Sequence, residues 1–150
     1  MDNLYKVDYI EGKNLGCIAL KSIKIGTIIV QEKPVCYDGG DIESETEHLI
    51  EGKNLGFIWN SYQKMSQSDK CDYSKLYNRF KTDKLTNSKK WIDWLLKRNV
   101  TGKMADVMVE VFGIYFSNCF VDGVGIQASR FNHSCAANAE IHFKGRSEKF

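Results

Sequence analysis

The stretch with the most chemistry in it is Ser129-Arg-Phe-Asn-His-Ser-Cys-Ala-Ala-Asn138, which sets Asn132, His133, Ser134, Cys135 and Asn138 within seven positions between apolar segments. A carboxamide both donates and accepts, and an imidazole can do either. Polar groups so concentrated beside core-like residues need hydrogen bonds or a ligand, because an unsatisfied one costs stability. From the residues alone, the first use is structural, with Asn and Ser closing turns around a buried His. A nucleophilic use is less well supported: His133 and Cys135 lie two apart and share a face if extended, but no third group marks itself as the one that orients the imidazole. A zinc site built here alone has two ligands where a closed site needs four.

The second string is Glu11-Gly-Lys-Asn-Leu-Gly16, a glycine-bracketed loop between two β-rich runs. Glycines at this spacing let backbone approach a ligand, or simply make a turn. The G-x-G-x-x-G spacing with a following helix is missing, and so is the Lys-Ser/Thr of a phosphate-binding loop. Taken by itself, the string is a hairpin loop.

Three zones must position these strings. Residues 4–36 hold YKVDYI, LGCIALK and TIIVQEK, dense in Val and Ile and punctuated by Gly12, Gly16 and Gly26, which predicts three short strands with Pro34 ending the third. Residues 41–117 are helix-patterned. Met104, Val107, Met108, Val111, Phe112 and Tyr115 recur at three-four spacing, predicting a helix from Thr101, its N-cap, to Phe116. A second helix is expected over 88–98, with Trp91, Trp94 and Leu95 on its apolar side, and weaker ones over 43–50, 55–65 and 73–80. Residues 118–150 return to short apolar runs, with EIHFK as a strand. The expected class is therefore α+β, mainly β with a helical insert, in a single domain over 1–150. IEGKNLGCI at 10–18 recurs as IEGKNLGFI at 50–58, eight matches in nine, but the flanks differ and a structural repeat is not supported.

Composition bounds the function. A chain of 150 residues that is 43% hydrophobic can bury a core and is not disordered. A net charge of +2 from 21 basic and 19 acidic residues is too even to indicate nucleic acid, and the Lys-rich helix near 84–97 is interspersed with acids, so a nucleic-acid-binding domain ranks last. No run approaches the roughly 18 apolar residues of a membrane span, so no membrane partner is expected. The five cysteines form no C-x-x-C pair, which with the odd count suits a reducing compartment: intracellular, in nucleus or cytoplasm.

Taken together, the glycine loop, Ala19 to Pro34 and SRFNHSCAAN resemble the SET-domain protein-lysine methyltransferases, and most closely the branch of the SET-and-MYND proteins. There a G-x-G-L turn, an A-x-x-x-I-x-x-G-x-x-I-x-x-E-x-P segment and S-R-F-N-H-S-C-x-P-N follow in this order; here they fall at Gly12 to Leu15, Ala19 to Pro34 and Ser129 to Asn138. The resemblance covers roughly 5–36 and 104–145. It implies a β-clip-like fold of small sheets that binds S-adenosyl-L-methionine on one side and admits a protein-substrate lysine from the other. It also implies that Lys13, Asn14 and Leu15 wrap the cofactor with main-chain groups. Asn132 would hydrogen-bond its methionine end, His133 would present its backbone to the adenine, and Ser129 and Phe131 would line the pocket or core. Cys135 would be a zinc ligand only with the three cysteines of a post-SET tail. Methyl transfer asks for alignment more than acid–base power, and a dry aromatic channel favours the uncharged amine.

Besides Asn14, which stands where the G-x-G-L turn has its second Gly, the sequence departs from the branch in three ways. Ala137 replaces the Pro of the S-C-x-P-N string. The cysteines after Pro34 are too few for a MYND finger. The G-E-E-L-x-x-x-Y segment, whose Tyr lines the lysine channel, does not follow before Phe150. The expectation is thus a C-terminally incomplete SET fold, a fragment or degenerate copy inactive as these 150 residues. The alternative is a non-catalytic SET-like protein-interaction module.

Overall fold

The computed structural model describes residues 3–37, 53–82, 86–120 and 123–142. The chain divides into two compact units, one of residues 1–29 with 130–150 and one of residues 30–129.

In the first unit, β1 (Tyr5–Ile10) pairs antiparallel with β2 (Asn14–Ala19) in the register Tyr5↔Ala19 to Ile10↔Asn14. Tyr, Val and Ile suit a pleated ladder. The turn between the strands is closed by the Lys13 N–H, which donates to the Ile10 carbonyl at 2.9 Å. Gly12 sits at φ 73° and Asn14 at φ 58°. The left-handed third turn residue is the position that only glycine fills without steric cost, and Asn tolerates that region better than most. Period-two alternation puts Asp8, Ile10, Gly16 and Ile18 on one face of the hairpin and Val7, Tyr9, Leu15 and Cys17 on the other.

The expected third strand does not form. Residues 27–33 join no ladder. A turn closed by Thr27 N–H on the Lys24 carbonyl redirects the chain, and Pro34 lacks the N–H a ladder needs. The run instead continues into the second unit, where Cys36 forms an isolated bridge to Val124. Apolar alternation signals extended chain, but it does not name the strand that will pair with it.

The second unit is helical: α1 (Lys53–Lys64), α2 (Gln67–Ser74), α3 (Arg79–Thr82), α4 (Thr86–Leu96) and α5 (Gly102–Asn118). Helix α5 is central and meets each of the other four. It buries Met108, Val111, Phe112, Ile114 and Tyr115 against Leu55, Ile58, Tyr73, Leu76, Trp91 and Leu95. Trp91 stacks on Phe116 with ring centroids 5.3 Å apart and meets Phe80 edge-on at 4.8 Å. Gly113 lets α5 pass the Asn78 side chain, which a Cβ would meet at 2.5 Å.

The α5 stripe is therefore shorter than its spacing suggests. Met104 and Val107, in the first two turns, are exposed, and the Thr101 side chain makes no capping bond although its backbone is extended. The helix expected over 73–80 is broken. Ser66 caps α2, its Oγ accepting from the Asp69 N–H at 3.0 Å, and α2 ends at Ser74 before α3 starts at Arg79. The helix expected over 43–50 lies outside the described residues. Residues 140–142 are not a strand, and the rest of EIHFK lies outside them. The described regular structure is a mixed α+β set with more helix than strand, so the β-rich expectation is corrected in its proportions.

Buried Tyr73 donates from its hydroxyl to the Val111 carbonyl at 3.0 Å. Burial first, and then neighbouring Cys36, hold that hydroxyl well above the ordinary tyrosine range. An unfolded tyrosine ionises near about pH 10. The stabilisation is thus intact below about pH 10 and is lost as pH rises from there towards the folded value. Tyr73→Phe is expected to cost about 1 kcal/mol at neutral pH and to flatten the alkaline fall in stability. Urea melts at neutral and alkaline pH check both.

Candidate functional site

The first unit brings together two of the three segments singled out in the sequence. Gly16 is the buried residue of β2, and the Asn132 side chain lies against it. A Cβ at Gly16 would stand 2.6 Å from Ile10 Cδ1 and 3.3 Å from Asn132 Cγ, and closer still to the Asn132 amide nitrogen. Backbone and carboxamide thus approach to a distance that only glycine permits. Phe131, the residue before, packs its ring on Tyr5 of β1 with centroids 5.7 Å apart and planes tilted by 56°. The string is therefore anchored to both strands of the hairpin.

Asn132 and His133 are exposed, as are Lys13, Asn14 and Leu15 of the turn. The expectation of a buried His is overturned: His133 is exposed, as is the string from Asn132 to Asn138. His133 Nε2 lies 3.6 Å from Cys135 Sγ, and both side chains are exposed. Cys17, beside Gly16, faces the opposite side of the hairpin. Its thiol is pushed up by burial, with the Arg130 guanidinium pulling the other way. Across the ladder from Gly16, the Asp8 carboxyl is held below its usual range by Lys6, whose Nζ is 2.6 Å away, and by the Tyr9 N–H.

A family model, the SET domain, matches residues 14–150. The chain belongs to the SET-domain family. No curated protein and no solved structure matches it. The match begins at Asn14, so it takes in β2, Gly16 and the whole Asn132 string. SET domains are modules of the protein-lysine methyltransferase type that generally use S-adenosylmethionine and bind protein substrates.

Within this SET domain, Gly16 is the residue that the sequence marked only as one of two loop glycines. Its place inside the apolar run LGCIALK was the available signal, since a glycine inside a strand marks close backbone approach. Tyr5 had no signal beyond β-propensity. Among the described residues no three His, Cys, Asp or Glu side chains gather as metal ligands, and no helix is long and apolar enough to cross a membrane. The depression in the helical unit, lined by Val35, Tyr37, Ser61, Lys64, Met65, Ser66 and Asp69, has a volume of about 220 Å³. That is below the usual range for a drug-sized ligand. Its serine hydroxyls are already engaged, Ser61 Oγ accepting from the Tyr37 N–H and Ser66 Oγ capping α2.

Proposed function

We propose that the chain is a protein-lysine methyltransferase module of the SET-and-MYND-like branch, without the MYND finger. In this reading it holds S-adenosylmethionine with the Lys13-Asn14-Leu15 main chain, the Asn132 side chain and the His133 main chain. The approach of Asn132 to Gly16 carries this reading, because it sets a carboxamide next to a turn whose backbone is exposed and partly left-handed. The donor set fits the group. An aminocarboxylate presents both an ammonium and a carboxylate, and a carboxamide can serve either. The turn residues Lys13, Asn14 and Leu15 are exposed, so main-chain groups beyond the Lys13 N–H, which is held by the Ile10 carbonyl, can face a ligand.

When bound, S-adenosylmethionine supplies the methyl group and its own leaving sulfide. The residues of this chain contribute orientation. Gly16 removes the side chain that would push Asn132 away, and Tyr5 packs on Phe131 and so limits the swing of the residue that follows it. Alignment of this kind is the main demand of a transfer that needs little proton movement. The acceptor is a lysine of a protein substrate. Cys135 is a zinc ligand only where further cysteines join it. No disulfide links the five cysteines, which suits a reducing compartment, and we place the protein inside the cell, in nucleus or cytoplasm.

Calorimetric titration with S-adenosylmethionine tests the site. Asn132→Ala should weaken binding by about 1–3 kcal/mol, the usual cost of stranding a charged ligand group. His133→Ala should do less, since the contact assigned to it is made by backbone. Equal affinities for wild type and Asn132→Ala would refute the assignment of Asn132. Binding without methyl transfer to any lysine-containing protein, in a chain that also carries the channel-tyrosine segment, would instead favour a non-catalytic interaction module.

A further inference from the structure

Lys6, Asp8 and Ile10 of β1 share the hairpin face of Gly16, since side chains two apart along a strand point the same way. Asp8 stands directly opposite Gly16 in the ladder. Residues paired in this way hold their Cβ positions about 4.5–5.5 Å apart. Gly16 has no Cβ, and the Asn132 carboxamide lies against the place where one would be. Asp8 and Asn132 are therefore neighbours on this face, and both belong to the first unit.

Lys6 Nζ donates to Asp8 Oδ2 at 2.6 Å, while Asp8 Oδ1 accepts from the Tyr9 N–H at 2.8 Å. The backbone bond orients the carboxylate and leaves Oδ2 to its lysine. The same two bonds, that of Lys6 first, hold the carboxyl below its usual range, so it is charged at neutral pH. Both side chains are half exposed. An ion pair so open to water adds little to stability, and it parts at little cost to an incoming pair of charges. The amino-acid end of S-adenosylmethionine carries such a pair, an ammonium and a carboxylate on one carbon. Lys6 and Asp8 present the opposite charges side by side, next to a carboxamide that can bond either. The ligand's charges then replace the bond between Lys6 and Asp8 with two charge-assisted hydrogen bonds and strand none.

We propose that Lys6 and Asp8 are specificity residues for the amino-acid end of the cofactor, Lys6 receiving its carboxylate and Asp8 its ammonium, beside Asn132. This deepens the reading of Asn132 as a cofactor ligand and rests on it. The pair selects ligands that carry an aminocarboxylate and takes no part at the methyl group.

The test is calorimetric titration of the full chain, as wild type, Lys6→Gln and Asp8→Asn, with thermal melts alongside. Three probes are used: S-adenosylmethionine carries both aminocarboxylate and sulfonium, S-adenosylhomocysteine the aminocarboxylate alone, and methylthioadenosine neither. Each variant should bind the first two about fivefold more weakly, the scale of one exposed ion pair. Each should bind methylthioadenosine no worse than wild type does, and melt as wild type does. Wild-type affinity for S-adenosylmethionine in either variant would overturn the proposal, and so would equal losses on all three probes, which mark a structural role. A loss on S-adenosylmethionine without one on S-adenosylhomocysteine would put the pair at the sulfonium and overturn it too. Asn132→Ala separates the two readings: weakened binding there, beside intact binding in either charge variant, removes the role of Lys6 and Asp8 alone. Wild-type protein that takes up neither S-adenosylmethionine nor S-adenosylhomocysteine removes the cofactor reading and that role with it.

Discussion

Val111→Asp is expected to unfold the helical unit. Val111 is 2% exposed on α5, the helix that meets α1, α2, α3 and α4. The core it belongs to holds Phe112, Tyr115, Tyr73 and Trp91. None of them offers a cation. A carboxylate placed there loses its water and gains no cation, a penalty of several kcal/mol even after it protonates. Total domain stability is only about 5–15 kcal/mol. Val107→Asp is the control on the same helix: Val107 is 43% exposed, and its replacement should stay within about 0.5 kcal/mol of wild type. Circular dichroism melts of the two variants separate the buried face from the exposed one. A wild-type melting temperature for Val111→Asp would mean that α5 is not the centre of this core.

The contrast between those two valines also shows where the sequence stops being sufficient. Three-four spacing reports that residues share a face, and Val107 and Val111 do share one. It does not report how far along the helix that face stays covered, because cover is supplied by other elements. The repeated IEGKNLG makes the point more sharply. In the first copy Asn14, Leu15 and Gly16 are strand, paired with β1; in the second Lys53, Asn54, Leu55 and Gly56 open α1. Local propensity is the same in both, so tertiary context decides. The first copy follows a β-rich run that can pair with it. The second places Leu55 and Ile58 three apart, on one helical face, and buries both in the core.

The candidate site was legible as a set of residue types and much less so as an environment. Asn132, His133 and the glycine loop stood out because their chemistry is dense and their neighbours are apolar. That the string would be exposed, with its Asn laid on Gly16, depends on a contact between distant parts of the chain. Glu32 was visible as one letter of an E-x-P pattern, but its carboxylate accepts from the Gln127 and Ala128 backbone amides, and no residue identity advertises those.

Gly16→Ala is expected to abolish most cofactor binding. The added methyl would stand 2.6 Å from Ile10 Cδ1 and 3.3 Å from Asn132 Cγ, and it would overlap the Asn132 amide nitrogen. Real Cβ atoms do not approach so closely, so something must yield. Ile10 is held in β1 opposite Asn14. The exposed Asn132 carboxamide is the freer of the two, and it swings away from the turn it is proposed to complete. Overpacking of this kind costs about 1–3 kcal/mol of stability, while S-adenosylmethionine affinity should fall at least as far as in Asn132→Ala, by about tenfold or more. Two other glycines isolate the cause. Gly12→Ala, at φ 73° with open space around its Cβ, strains the turn but leaves Asn132 in place, so affinity should drop less than stability does. Gly56→Ala, the matching position of the second copy, also has open space and lies in a helix, where alanine should stabilise by about 0.5–1 kcal/mol. The same substitution in the same heptapeptide should therefore carry opposite signs. Titration and melting of the three variants read both quantities, and undiminished affinity in Gly16→Ala would show that the Asn132 carboxamide does not depend on Gly16 for its place.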